Sequence, residues 1–192
     1  MYLKLKKKGF KASHVAEVGV WFPETSNIYN FIKDGVRTTL VEPDPESILR
    51  IKEHFKNDSQ VTLHEVALCD QPGEIELYSQ GSSSFVGSVL TSPAIINDNC
   101  ERFRVSKTKV RGQLFSSIDD KTIDLISIDT EGSEWFVLKH MASRPKVISV
   151  ETHGGLYRNP YLRGILGWMK VNNYFLWYKN KSDSIFILKD TI

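Results

Sequence analysis

The chain has 192 residues, 41% hydrophobic and 25% charged, a balance that excludes a disordered or fibrous protein and allows a substantial core. Its formal charge of +2 is too close to neutral to predict a nucleic-acid partner, and no apolar stretch is long enough to cross a bilayer. Cys69 and Cys100 are the only cysteines and show neither metal-ligand spacing nor a redox pair. A soluble protein of the reducing cytoplasm is therefore expected, built as a single domain over residues 1–192, without membrane contact.

Lys4, Lys6, Lys7, Lys8 and Lys11 form a basic run that reads as a solvated arm, with a short helix ending at Gly9-Phe10. His14 to Val20 is short and rich in β-branched residues with a glycine near its end, which predicts a buried parallel strand turning sharply. A helix is expected from Pro23, placing Ile28, Phe31 and Ile32 on one face and ending at Asp34-Gly35. Arg37 to Glu42 reads as a second strand, stopped by Pro43 and Pro45. Ile48, Leu49, Ile51 and Phe55 then fall at helical spacing, and Val61 to Leu68 reads as a third strand.

From Cys69 to Gly112 the rhythm changes. Gln71-Pro72-Gly73-Glu74 is a turn, Ile75 to Tyr78 alternates like a half-exposed antiparallel strand, and Phe103 to Val110 alternates again. This is a β-rich insertion, with a flexible Gly81 to Ser84 stretch and an aperiodic path to Cys100 that suits either a substrate lid or a passive excursion. Regular order returns with a strand from Ile123 to Asp129, a helix carrying Val137, Leu138 and Met141, and a strand from Val147 to Val150. A helix from about Asn159 and a hairpin of Tyr174 to Tyr178 with Ser184 to Leu188 close the chain. The fold class is α/β: a doubly wound, mostly parallel sheet with a C-terminal antiparallel hairpin and the insertion between its third and fourth core strands.

In such a sheet, ligands bind outside the carboxyl ends of the strands. Glu17, Glu42, Asp129 and Glu151 each stand at or near such an end, and His153 follows two residues after the last of them. Acids at these places can be mere helix caps, but a group of them in one crevice repels itself and calls for a cation, a metal or a shared proton. Glu42 lies roughly 20 residues beyond the glycine turn, where a carboxylate holds the ribose diol of a nucleoside cofactor. Capping of the next helix is the alternative role for Glu42.

The ordered set Glu17-Val18-Gly19, Val41-Glu42-Pro43-Asp44-Pro45, Ala67 with Gly73-Glu74, and above all Ile128-Asp129-Thr130-Glu131-Gly132-Ser133-Glu134 resembles the FkbM-type methyltransferases. The likeness runs from about Gly9 to Leu188. It implies the class I doubly wound fold, S-adenosylmethionine as cofactor, and O-methylation of a hydroxyl on a sugar, polysaccharide or secondary metabolite, so a small-molecule or saccharide substrate is expected. It also implies that Glu17 and Gly19 border the methionine part of the cofactor, that Glu42 binds its ribose, and that Glu65, Val66 and Ala67 flank its adenine. Trp21, in the loop after Gly19, is counted with them. A sulfonium is a cation, so an acid-lined crevice stabilises it.

The chain departs from the family at Val20-Trp21-Phe22-Pro23-Glu24, where small residues are the pattern and bulky ones deny a close backbone approach. That departure motivates the alternative of a catalytically inactive member acting as a ligand-binding or interaction module. For catalysis, His153 is the candidate base because an imidazole titrates near working pH, with Asp129 or Glu131 as substitute or orienting partner. Asp129, Glu131, Glu151 and His153 could instead hold magnesium or manganese, a reading not favoured over the metal-free one.

Overall fold

The computed structural model describes residues 1–80, 83–86, 106–154, 157–189 and 191. Seven strands make the main sheet: β1 (His14–Val18), β2 (Arg37–Val41), β3 (Val61–His64), β8 (Leu125–Ile128), β9 (Val147–Glu151), β10 (Tyr174–Lys179) and β11 (Asp183–Leu188). Their order is β10-β11-β9-β8-β1-β2-β3. The five strands from β3 to β9 run parallel, and the β10–β11 hairpin adds antiparallel to β9. This is the doubly wound class I architecture, with its switch point between β1 and β8, where the strand order reverses.

Side chains alternate across the sheet with period two, and the core divides accordingly. Val15, Leu40, Leu125, Val147 and Ile185 face one side with helices α1 (Tyr2–Lys7), α2 (Tyr29–Lys33) and α3 (Pro45–His54). Val18, Ile126, Ile128, Ile148, Val150 and Phe186 face the other with α4 (Glu134–Lys139) and α5 (Leu162–Val171). The insertion forms a second sheet of β4 (Ala67–Leu68), β7 (Ser106–Gln113), β5 (Gly73–Gln80) and β6 (Ser83–Val86), in that order.

Two expected elements are interrupted. The helix from Pro23 is a single 3-10 turn (Pro23–Thr25), and α2 starts only at Tyr29, because the Asn27 N–H donates to the Glu17 carboxylate at 2.8 Å instead of to a helical carbonyl. The strand from Val61 to Leu68 breaks at Glu65-Val66: β3 ends with the His64 carbonyl accepting from Glu42 N–H, and β4 pairs with β7 in the second sheet. The described part of the Phe103 to Val110 strand begins at Ser106, and most of the Gly81 to Cys100 stretch, including the suggested lid, lies outside the described residues. No helix among the described residues is long and apolar enough to cross a membrane.

Candidate active site

Because β1, β2 and β8 are parallel, their carboxyl ends share one edge of the sheet, and a hollow of about 660 Å³ opens there. Its walls are the loop from Glu17 to Trp21, Val41 to Pro43, Val66 to Leu68 with Leu77 of the second sheet, Asp129 to Glu131, and the hairpin turn from Asn180 to Asp183. Gly19 sits where the β1 and β8 loops touch. Its φ is +79°, and a Cβ there would overlap the Asp129 carbonyl oxygen, with the carbonyl carbon only 2.8 Å away. Only glycine satisfies both constraints.

Glu17 is 2% exposed, and its Oε2 is buried without a hydrogen-bond partner among the described residues. Burial pushes its carboxyl up to about 8, against the opposing hydrogen bonds from Ser26 and Asn27. Glu42 is also buried. Its Oε2 accepts from the Val20 N–H at 2.8 Å and the Trp21 N–H at 3.0 Å, and its Oε1 from the Asp44 N–H at 2.9 Å. Burial raises this carboxyl too, and the three amides lower it. A carboxylate offers about four acceptor positions, so the loop leaves about one for a ligand. Glu42 does not cap the next helix; Asp44 does, accepting from the Ser47 N–H at 2.9 Å.

The bulky loop takes a path that keeps the hollow open. Val20 turns into the core at 4% exposure, and Trp21 adopts a left-handed backbone with φ +54° and lines the hollow. Its ring stacks on Phe22 at 3.9 Å, and Phe22 in turn lies under the Arg50 guanidinium at 4.1 Å.

On the β8 side, Glu131 is a second left-handed residue, with φ +55°, followed by Gly132 at φ +107°. Such conformations cost energy and concentrate at functional sites. Glu134 holds this turn: its Oε1 accepts from the Thr130 N–H at 2.9 Å and the Gly132 N–H at 3.0 Å, and its Oε2 from Asn159 Nδ2 at 2.5 Å. One oxygen each of Asp129, Glu134 and Glu151 lie within 4.8 Å of one another. Burial, then the neighbouring Glu134 and Asp183, push Asp129 up to about 7. Burial, then Asp129 and Glu134, push Glu151 up to about 11. Burial raises Glu134 as well, against its hydrogen bonds.

Of the expected site residues, Glu17, Gly19, Trp21, Glu42, Val66, Ala67, Asp129 and Glu131 line the one hollow. Glu65 does not; its carboxylate pairs with Lys52 at 2.6 Å on the surface. His153 does not reach it either. Its Nδ1 bonds Thr152 Oγ1 at 2.9 Å, its Nε2 meets the Asn180 carbonyl at 3.3 Å, and it lines a separate hollow with Arg158 and Lys179. The hairpin turn from Asn180 to Asp183 is where the sequence predicts a turn, but its place in the wall of the hollow is not among the expected site residues. The signal for it is topological: a hairpin returning antiparallel to β9 puts Asp183 opposite Glu151, and so carries its turn to the carboxyl end of β9.

The model of the methyltransferase FkbM domain matches residues 13–176. The chain belongs to the FkbM methyltransferase family. Among solved structures, this FkbM domain is similar to a putative RNA methyltransferase from Pyrococcus horikoshii, with 9% identity and a TM-score of 0.50, covering 100% of this chain and 81% of that one. It is likewise similar to the methyltransferase domain of bacterial CtHen1-CN, with 12% identity and a TM-score of 0.50 over 97% and 95% of the two chains. These likenesses carry the fold. The comparison with curated proteins found no match to this chain in sequence.

Proposed function

We propose that this FkbM domain is an O-methyltransferase that uses S-adenosylmethionine and methylates a hydroxyl of a sugar, polysaccharide or secondary metabolite. The observation that carries the reading is the hollow at the switch point, in which Glu17 presents a buried carboxylate oxygen with no hydrogen-bond partner among the described residues. The residues fit the cofactor. Glu17 Oε2 suits the ammonium of its methionine part, the open acceptor position of Glu42 suits one ribose hydroxyl, and Val41, Val66, Ala67 and Leu68 supply apolar surface for the adenine. The volume of about 660 Å³ lies in the range that buries a ligand of this size.

Bound there, the cofactor supplies an electrophilic methyl group. The chain's part is to hold the acceptor oxygen in line and to accept its proton, and positioning contributes much of the rate. Glu131 and Asp129 line the wall beyond the Gly19 contact; Glu131 replaces His153 as the group that takes the proton, and Asp129 helps to orient the hydroxyl. Lys181, on the opposite hairpin turn, is the cation placed to hold an anionic or hydroxyl-rich acceptor.

A test is transfer of labelled methyl from S-adenosylmethionine to a panel of monosaccharides, polyols and amines. Label in an alkali-stable ether linkage is expected; label on nitrogen overturns the O-methyl assignment. The second reading, an inactive binding module, draws on the engagement of Glu42 by three loop amides. Methyl transfer to any acceptor, lost in Glu42→Ala, would refute it.

A further inference from the structure

We propose that Asp129, Glu134 and Glu151 form a binding site for one hard divalent cation, magnesium or manganese, at the base of the hollow. One oxygen from each acid lies within 4.8 Å of the others, a spacing that three ligands of one small ion can adopt. The set is all oxygen, which selects a hard cation over zinc or copper.

An acidic cluster alone proves little, and two buried groups point further. Glu151 is 8% exposed, and its Oε2 has no hydrogen-bond partner among the described residues. Tyr157 is 1% exposed, its hydroxyl is equally unpartnered, and it lies in the field of Glu134 and Glu151. Both are polar groups that a protein interior does not leave unsatisfied without reason.

The surroundings fit a cation better than a basic side chain. The described salt bridges leave all three acids out. Glu134 is fixed by two turn amides and by Asn159, which also bonds the Glu151 carbonyl at 3.2 Å, the kind of outer support that orients metal ligands. Asp129 is the member that lines the hollow, so the open positions of the ion face the proposed acceptor. Its role there, polarising a hydroxyl, rests on the O-methyltransferase reading; the site itself does not.

The test is titration of the purified full chain with manganese(II) alone, followed by the loss of the free-ion electron paramagnetic resonance signal. One bound ion per chain is expected, with a raised melting temperature. Glu151→Gln should weaken binding by more than about tenfold, whereas the surface variant Glu53→Gln should not change it. Should Glu134→Gln fail to fold because it anchors the turn, Glu151→Gln keeps the test decisive, since its Oε2 makes no hydrogen bond among the described residues. No bound manganese, or unchanged affinity in Glu151→Gln, overturns the site. Binding of S-adenosylmethionine in chelator by a chain that takes no manganese sinks this inference alone. Manganese binding without cofactor binding supports the site and sinks the cofactor reading instead.

Discussion

Replacing Gly19 by alanine tests how the first loop is built. Two costs apply at this position. The φ of +79° is left-handed, which costs an L-residue about 1–2 kcal/mol. The new Cβ would also overlap the Asp129 carbonyl, and relieving such overpacking costs about 1–3 kcal/mol. Neither backbone can yield cheaply, since the Gly19 N–H donates to the Val41 carbonyl at 3.0 Å and the Asp129 N–H to the Val18 carbonyl at 2.9 Å. Gly35 is the matched control: its φ is +74°, and a Cβ there meets nothing within 4 Å, so Gly35→Ala bears the backbone cost only. Urea denaturation should show Gly19→Ala less stable than Gly35→Ala by about 1–3 kcal/mol, a difference of roughly 2–12 °C in melting temperature for a domain of this size. Because the contact joins two walls of the hollow, cofactor affinity should fall in Gly19→Ala and hold in Gly35→Ala. Equal losses in the two variants would refute the contact between the β1 and β8 loops.

Glu42→Ala removes the acceptor of three amides and should cost about 3 kcal/mol by urea denaturation, with Glu42→Gln costing less because an oxygen remains. Glu17, with its folded carboxyl near 8, favours folding in its protonated form. Its contribution is therefore complete below the ordinary carboxylate range and declines by about 1.4 kcal/mol per pH unit as pH rises toward 8. Glu17→Gln should flatten that part of the stability profile between pH 5 and 8 while keeping the Asn27 bond, and an unchanged slope would contradict the burial assigned to Glu17. Asp119 accepts from the Lys121, Ala142 and Ser143 N–H groups and from the Ser143 hydroxyl, away from the hollow, so Asp119→Ala should lose about 3–5 kcal/mol of stability and leave the cofactor affinity of the folded protein unchanged. His153→Ala should leave that affinity unchanged as well, since the imidazole lines a different hollow.

The parallel strands were legible because runs such as Val147 to Val150 and Leu125 to Ile128 are apolar on both faces, as sheets covered on both sides require. The strand-end acids were legible for the same reason: once the strands are placed, Glu17, Glu42 and Asp129 must share an edge. What periodicity does not carry is long-range competition for backbone groups. The Glu17 carboxylate captures the Asn27 N–H across 10 residues and splits the expected helix, and no local pattern announces that. His153 was misplaced by the same kind of event. Two residues beyond a strand end, its ring is drawn to Thr152 and to the Asn180 carbonyl and turns out of the main hollow. Asp183 and Lys181 escaped notice because a polar hairpin turn looks solvated until its partner strand is known.

Calorimetric titration of the purified chain with S-adenosylmethionine addresses the switch-point hollow most directly. A saturable heat of one ligand per chain, displaced by S-adenosylhomocysteine and weakened in Gly19→Ala, is predicted. No saturable heat at roughly millimolar cofactor, which corresponds to binding weaker than about 4 kcal/mol, would contradict the account.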